Sequence, residues 1–299
     1  MGALAGAIAI VFRQTNIVWL LFSIGLVAVR KVEKFLKKEK GVRESLHSLG
    51  DLRVLRLCVD SVFDDPKIFS ILLLNILWSS LWYLLVLCLF VAFIIMNKGI
   101  VVGDRSNHQA VLNFPQLFYF LGVSAFFSVL HIVSIQKLKR FIVATVCNPV
   151  KFFLLFSIMS ILAWTFTYEH KYTLSDNRHY TFYVWSRIYR RHPLVKLILV
   201  PGYIYCLYHF SSLLRNNNVL WRLVFSICAF VVLVPQALFE FRYFIIPFFI
   251  MRLNMKLPCA KVLFIESLVF MLINLFTVYM FVEKPFLWPN SNQPQRFMW

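Results

Sequence analysis

Seven runs of about 20 mostly apolar residues, the length a helix needs to cross a bilayer, constrain this chain more than any other feature. They lie at roughly 4–29, 69–96, 113–135, 141–166, 194–213, 219–238 and 259–282. The expected fold class is therefore all-α, a polytopic membrane bundle of about seven transmembrane helices with 1–299 as a single transmembrane domain. Seven crossings would put the two termini on opposite sides. The second run, ILLLNILWSSLWYLLVLCLFVAFIIM, is long enough to cross with tilt. In the fifth, Pro201 and Gly202 predict a kink. A further apolar piece at 244–251 is too short to span and is expected to be re-entrant or interfacial.

Composition excludes the other broad classes. A chain that is 60% hydrophobic and 15% charged, with a mean hydropathy of +0.74, is no ordinary soluble domain. Its 32 Phe, 12 Tyr and 8 Trp exclude intrinsic disorder, and its 9 Gly exclude a collagen-like architecture. The formal charge of +18 does not point to nucleic acid, because no basic run lies on a soluble amphipathic element that could enter a groove. Anionic headgroups, phosphates and the positive-inside bias account for it. The six cysteines show neither CxxC spacing nor a clustered framework, and are expected to be lipid-facing or packed thiols. MGALAG carries neither the charged n-region of a secretory signal nor the Ser or Thr of a myristoylation site. The sequence contains no Asn-x-Ser/Thr acceptor.

Orientation follows from Lys and Arg in alternate loops. The loops at 30–68, 136–140 and 214–218 together with the tail carry sixteen, ten of them in 30–68; those at 97–112, 167–193 and 239–258 carry ten. The first set is thus expected to be cytosolic, with RKVEKFLKKEKGVRE as a basic helix beside anionic headgroups. The second set is expected to be lumenal.

Those three lumenal loops hold most of the candidate chemistry. GDRSNHQAV contributes Asp104, Arg105 and His108. YEHKYTLSDNRHYTFYVWSRIYRRH contributes Glu169, His170, Asp176, Asn177, Arg178, His179 and Tyr180 among seven aromatics, and EFRYF contributes Glu240 and Arg242. The aromatics fit either an interfacial belt or a platform on which the C–H face of a sugar stacks. Arg105, Arg178 and Arg242 suit phosphate through the guanidinium fork, or snorkel to headgroups. Glu240 and Arg242, two residues apart, would not face each other on a helix, so no direct local ion pair is expected there. The histidines and carboxylates lack a metal-binding spacing, so no metal or other cofactor is expected. Within the spans, Arg13, Asn16 and Glu266 are costly unless they face the bundle interior.

FRQTNIVW, GDRSNHQAVLNFPQLFYF, LSDNRHYTFYVW, EFRYFIIPF and the terminal RFMW, in that order, resemble the dolichyl-phosphate-glucose-dependent α-1,2-glucosyltransferase family of the endoplasmic reticulum membrane. The resemblance covers essentially the whole chain. It implies a multi-pass fold of the lipid-phosphate-sugar glycosyltransferase class (GT-C type). It also implies a donor, dolichyl phosphate glucose, and an acceptor, the diglucosylated lipid-linked oligosaccharide that serves protein N-glycosylation. From a β-linked donor to an α product, one inverting displacement is implied, with a carboxylate base and cations at the leaving phosphate. Arg105, His108, Asp176, Asn177, Arg178, His179, Tyr180 and Arg242 are the expected substrate-binding residues.

Members carry an acidic pair in a lumenal loop upstream of the block that here begins near Phe12. The resemblance thus implies that the chain corresponds to the carboxy-terminal portion of a member. The expected base then lies outside it, with Asp104 the nearest substitute, and the chain alone is expected to transfer little glucose. The rival reading, from a different class, is a non-enzymatic membrane accessory protein that regulates a channel. It would need exposed helix faces for a partner in place of a lumenal cavity.

Overall fold

A computed structural model describes residues 1–39, 46, 49–100, 110–288 and 291–297. The described chain is almost wholly helical. In order the helices are α1 (Gly2–Phe12), α2 (Ile17–Glu39), α3 (Asp51–Asp64), α4 (Pro66–Ser79), α5 (Leu81–Asn97), α6 (Pro115–Phe127), α7 (Val129–Ile132) and α8 (Ile135–Cys147). There follow α9 (Pro149–Phe166), α10 (Tyr180–Val184), α11 (Val195–Ile198), α12 (Val200–Leu213), α13 (Val219–Leu233), α14 (Ile245–Leu253) and α15 (Ala260–Glu283). A two-stranded antiparallel hairpin, β1 (Phe286–Trp288) with β2 (Ser291–Gln295), closes the chain and pairs Leu287 with Pro294.

Three helices, spanning Gln14–Lys38, Pro149–Phe166 and Ala260–Glu283, are long and apolar enough to cross a membrane, and the bent pair α4 and α5 makes a fourth if counted as one span. Several apolar runs are interrupted at polar or proline residues. The first run breaks at Arg13, whose backbone is extended. The chain then folds back, because Leu20 lies 2.9 Å from where a Cβ on Gly6 would stand. On one straight helix those residues would be about 21 Å apart. The amide of Asn16 donates to the Ala9 carbonyl at 2.8 Å, so its polarity is satisfied across the break. The crossing helix is therefore displaced from 4–29 to Gln14–Lys38, into the basic stretch.

The second run bends by 73° between α4 and α5, at Ser80. Asn148 ends α8 and Pro149 opens α9, since proline fits a first turn that needs no N–H. Pro201 likewise sits in the first turn of α12, so the break falls just before it, at Leu199, and α12 itself begins afresh.

The helices fall into two compact units. In the first, residues 1–109 with 214–232, Ile10, Leu20 and Phe90 form one core, and Leu36, Leu46, Leu49, Val54 and Val219 another. Phe22 packs edge-on against Trp221 and Phe225, while Gly25 lets α13 approach closely: a Cβ there would meet Val224 at 2.5 Å. Cys88 is exposed on α5 and Cys228 buried on α13, and both are free thiols.

The second unit, 110–213 with 233–299, has a core of Phe118, Met159, Ala163, Val200, Tyr203 and Ile204. Its two ends are fixed by polar contacts. At one, the amides of Asn113 and Gln116 at the start of α6 donate to the Gln236 carbonyl at 3.1 Å, and Gln116 also to Leu238 at 2.9 Å. At the other, beyond α6 and α7, the Lys256 N–H donates to the Leu213 carbonyl at 3.1 Å.

Residues 239–258, expected to form a loop on one side, thus run from one end of this unit to the other, with α14 buried through Phe244, Pro247 and Met251. The nine residues of α14 extend only about 14 Å. That brevity is why no full-length apolar run marks the passage in the sequence.

Candidate functional site

At the Asn113 end of the second unit, residues 167–193, the segment 236–243 and the terminal hairpin come together. Phe166 packs on Phe114 (4.8 Å), and Trp185 contacts Tyr119 and Phe239. Trp185 is buried, stacks on Tyr189 at 5.1 Å, and donates its indole N–H to Glu169 at 2.7 Å. The Tyr189 hydroxyl in turn pairs with that of Tyr203. Trp185 and Tyr189, candidates for a sugar-stacking platform, are therefore packed into an aromatic core. Tyr168 and Tyr172 are the tyrosines of this loop left exposed.

SDNRHY is built around one ion pair. The Asp176 carboxylate accepts the Arg178 backbone N–H at 2.9 Å, its Nε at 3.0 Å and an Nη at 2.7 Å, a fork held within three residues. The adjacent guanidinium holds the Asp176 carboxyl below the usual aspartate range, and the carboxylate raises Arg178 further. His179 approaches the same carboxylate at 3.6 Å.

The hairpin clasps this loop. The Trp288 indole N–H donates to Asn177 Oδ1 at 2.7 Å, and its ring lies under the Arg178 guanidinium at 5.0 Å. Gln295 accepts the other Nη of Arg178 at 3.3 Å. Tyr180 stacks on Phe297 with rings 14° from parallel. Its hydroxyl is buried and has no hydrogen-bond partner among the described residues, and burial raises its pKa, so it stays a proton donor.

Arg242 and Glu240 form the direct pair that helical spacing argued against. Glu240 is extended (φ −138°, ψ 136°) and precedes a single 3-10 turn, Phe241–Tyr243, so the two side chains lie side by side. Sequence reasoning assumed a helix that does not exist there.

The structure brings Asp176, Asn177, Arg178, His179 and Tyr180 into one loop, with Glu240 and Arg242 on a neighbouring segment. Asp104, Arg105 and His108 lie outside the described residues. Trp288 and Gln295 were not anticipated, and both precede the terminal RFMW block of the resemblance. Among the described residues, no three His, Cys, Asp or Glu side chains stand close enough to hold a metal.

Glu266, singled out as a charge inside a span, is buried and satisfied at the opposite end. It accepts from Arg252 at 2.6 Å and contacts His131 Nε2 at 3.0 Å, tying together α7, α14 and α15.

The comparisons with known proteins bear on the loop directly. The model of the DIE2/ALG10 family matches residues 1–253, a stretch that contains all of 167–193 and 236–243. The chain belongs to the DIE2/ALG10 family. Among its relatives are proteins named Dol-P-Glc:Glc(2)Man(9)GlcNAc(2)-PP-Dol alpha-1,2-glucosyltransferase. The Mus musculus protein is 43% identical across 99% of this chain and 63% of its own length, and a Homo sapiens protein 42% identical with the same coverage. The Arabidopsis thaliana protein is 31% identical over 100% of this chain and 67% of its own. The chain thus spans somewhat less than two thirds of the length of its mammalian relatives. No solved structure matches it.

For a DIE2/ALG10 member, the carboxylates described at this end are informative. Asp176 and Glu240 are held by arginines and Glu169 by an indole. With its carboxyl held below the usual aspartate range by Arg178, Asp176 is a weak proton acceptor. Each of these carboxylates accepts a hydrogen bond from a neighbouring side chain.

Proposed function

We propose that this chain acts in the transfer of glucose from dolichyl phosphate glucose, in α-1,2 linkage, to the diglucosylated lipid-linked oligosaccharide, in the endoplasmic reticulum membrane. The observation that carries the reading is the family match over 1–253 with relatives of that name. The clasped loop supports it with a suitable surface: cations from Arg178 and Arg242, polar groups from Asp176, Asn177 and His179, and the Tyr180 hydroxyl. Arg178 and its neighbours hold the leaving dolichyl phosphate, where positioned donors lower the barrier most in a water-poor site. Tyr180 completes its hydrogen bond on substrate. Arg105 and His108 belong to the same reading as substrate-binding residues, and Asp104 as the acidic residue to test for base catalysis.

The end of the second unit that carries SDNRHY faces the lumen in this reading, as do 97–112, 167–193 and the first part of 239–258. The opposite end and 30–68 face the cytosol.

A chimaera in which this chain replaces the matching part of the mouse relative tests the proposal, assayed in microsomes for glucose transfer from dolichyl phosphate glucose. Transfer is expected, and Tyr180→Phe should lower it about tenfold, the effect of one lost hydrogen bond in a dry site. A chimaera present at normal levels in the membrane but without transfer would overturn the assignment. A silent Tyr180→Phe would remove that residue from the site.

A further inference from the structure

At the Lys256 end of the second unit, far along the helices from SDNRHY, lies a group of cations that the glucosyl-transfer reading does not use. Phe141 of α8 packs on both Tyr205 and Tyr208 of α12 at 5.2 and 5.6 Å. That contact turns the face of α8 bearing Lys137, one turn earlier, toward α12. Arg140 is three residues from Lys137, also within reach of that face. The ring of His209 sits against the same two tyrosines, at 4.4 and 5.0 Å. Tyr205 donates its hydroxyl to the Ile132 carbonyl at 2.5 Å, and the Lys137 ammonium donates to the neighbouring His131 carbonyl. His209, Lys137 and the start of α8 are thereby held together by contacts from both helices.

Two features of this cluster call for a ligand. His209 is 5% exposed, yet its Nε2 has no hydrogen-bond partner among the described residues. A buried polar atom left in that state is destabilising, and native structures rarely tolerate it. The charges are also unbalanced. Glu266 is committed to Arg252 and His131, and among the described residues no carboxylate pairs with Lys137 or Arg140. An ammonium has three donors, of which Lys137 has spent one. The N-terminus of α8, capped by Ser134, adds its partial positive charge.

We propose that Lys137, Arg140 and His209 form a binding site for a phosphate group, carried by the headgroup of an anionic membrane lipid. The exposed Arg140 meets the phosphate first, Lys137 supplies its two remaining donors, and the His209 imidazole, as its Nε2–H tautomer, donates from the buried side. The lipid tails would lie along the apolar flank of α8, where Leu138, Ile142 and Val146 are exposed. This inference does not depend on the transferase reading, since the site lies at the other end of the unit.

The test uses the purified full chain in detergent and native mass spectrometry, with dioctanoyl phosphatidic acid, dioctanoylglycerol and inorganic phosphate as probes. Phosphatidic acid should bind at least tenfold more tightly than dioctanoylglycerol. Arg140→Gln, an exposed change that leaves folding intact, and His209→Phe should each weaken it about tenfold, the loss of one charge-assisted hydrogen bond. Inability of millimolar inorganic phosphate to displace the lipid would assign the site to headgroups, and ready displacement to phosphate from either source. Equal binding by wild type and Arg140→Gln, or equal binding of the phosphate-free lipid, would overturn the proposal whatever His209→Phe does to folding.

Discussion

At the scale of single residues, the loop at 174–180 shows how a short polar motif can fold itself. Asp176 reaches forward to the backbone and side chain of Arg178, fixing the guanidinium in place while one N–H on each of its terminal nitrogens is left over. The pairing carries a pH signature of known sign. Because the folded Asp176 carboxyl titrates below its unfolded value of about 4, its stabilisation is fully present above that value. It is lost as pH falls through the lowered folded pKa. Hydrogen exchange of the Arg178 amide should therefore be protected equally from pH 8 down to about 5 and lose protection only in stronger acid; protection lost between pH 7 and 5 would contradict the assigned pairing.

The same residues separate two jobs for the guanidinium. If Arg178 holds the donor phosphate, Arg178→Ala and Arg178→Lys in the chimaera should both raise the KM for dolichyl phosphate glucose about tenfold, since lysine lacks the planar fork. Asp176→Asn, which releases the fork, should raise it less. Near-normal kinetics in both arginine variants would sink the phosphate role. An Asp176→Asn defect equal to that of Arg178→Ala would assign the arginine to folding the loop. The composition of SDNRHY made it a candidate site, but its partners Trp288 and Gln295 lie more than a hundred residues away, a pairing that no local pattern encodes.

Individual elements were legible to the extent that apolar length alone decides them. Helix α15 matches its run almost end to end, because nothing within it breaks an α-helix. The runs around 13, 80, 128 and 148 look continuous in hydropathy and are not continuous as helices. Their interruptions rest on single polar or proline residues whose effect depends on what packs around them. Glu266 was visible as a charge in a span, whereas its partners His131 and Arg252 were counted among neighbouring runs and loops. Removing only the carboxylate leaves a buried arginine uncompensated, which costs up to about 3–5 kcal/mol. Glu266→Gln should accordingly lower the thermal unfolding temperature in detergent more than Glu266→Gln with Arg252→Met. Equal losses would mean that α14 and α15 are held by apolar packing and that the triad is incidental.

For the molecule as a whole, the passage of 239–258 changes the expected course of the chain. Residues 236–238 meet the start of α6, and Lys256 meets the end of α12, so α15 sets out from the end opposite to the one first expected. It finishes where the hairpin clasps Asn177 and Arg178. The tail therefore lies at the same end of the second unit as 167–193. Positive charge could not reveal this, because the revision exchanges Arg252 and Lys256 for Lys284 and Arg296 and leaves the loop count at sixteen against ten.

Engineered glycosylation acceptors distinguish the two courses, as the native sequence has none. With SDNRHY in the lumen, acceptors near Ser175 and in a short extension after Trp299 should both be modified, while those near Gly41 and Lys256 should not. Each would be introduced singly, with an unmodified parent as the mobility standard. Modification near Ser175 but not after Trp299 would return the tail to the cytosol and contradict the clasp, since one membrane side cannot supply both halves of a contact that spans two. Modification near Gly41 with none near Ser175 would instead invert the chain and withdraw the lumenal site.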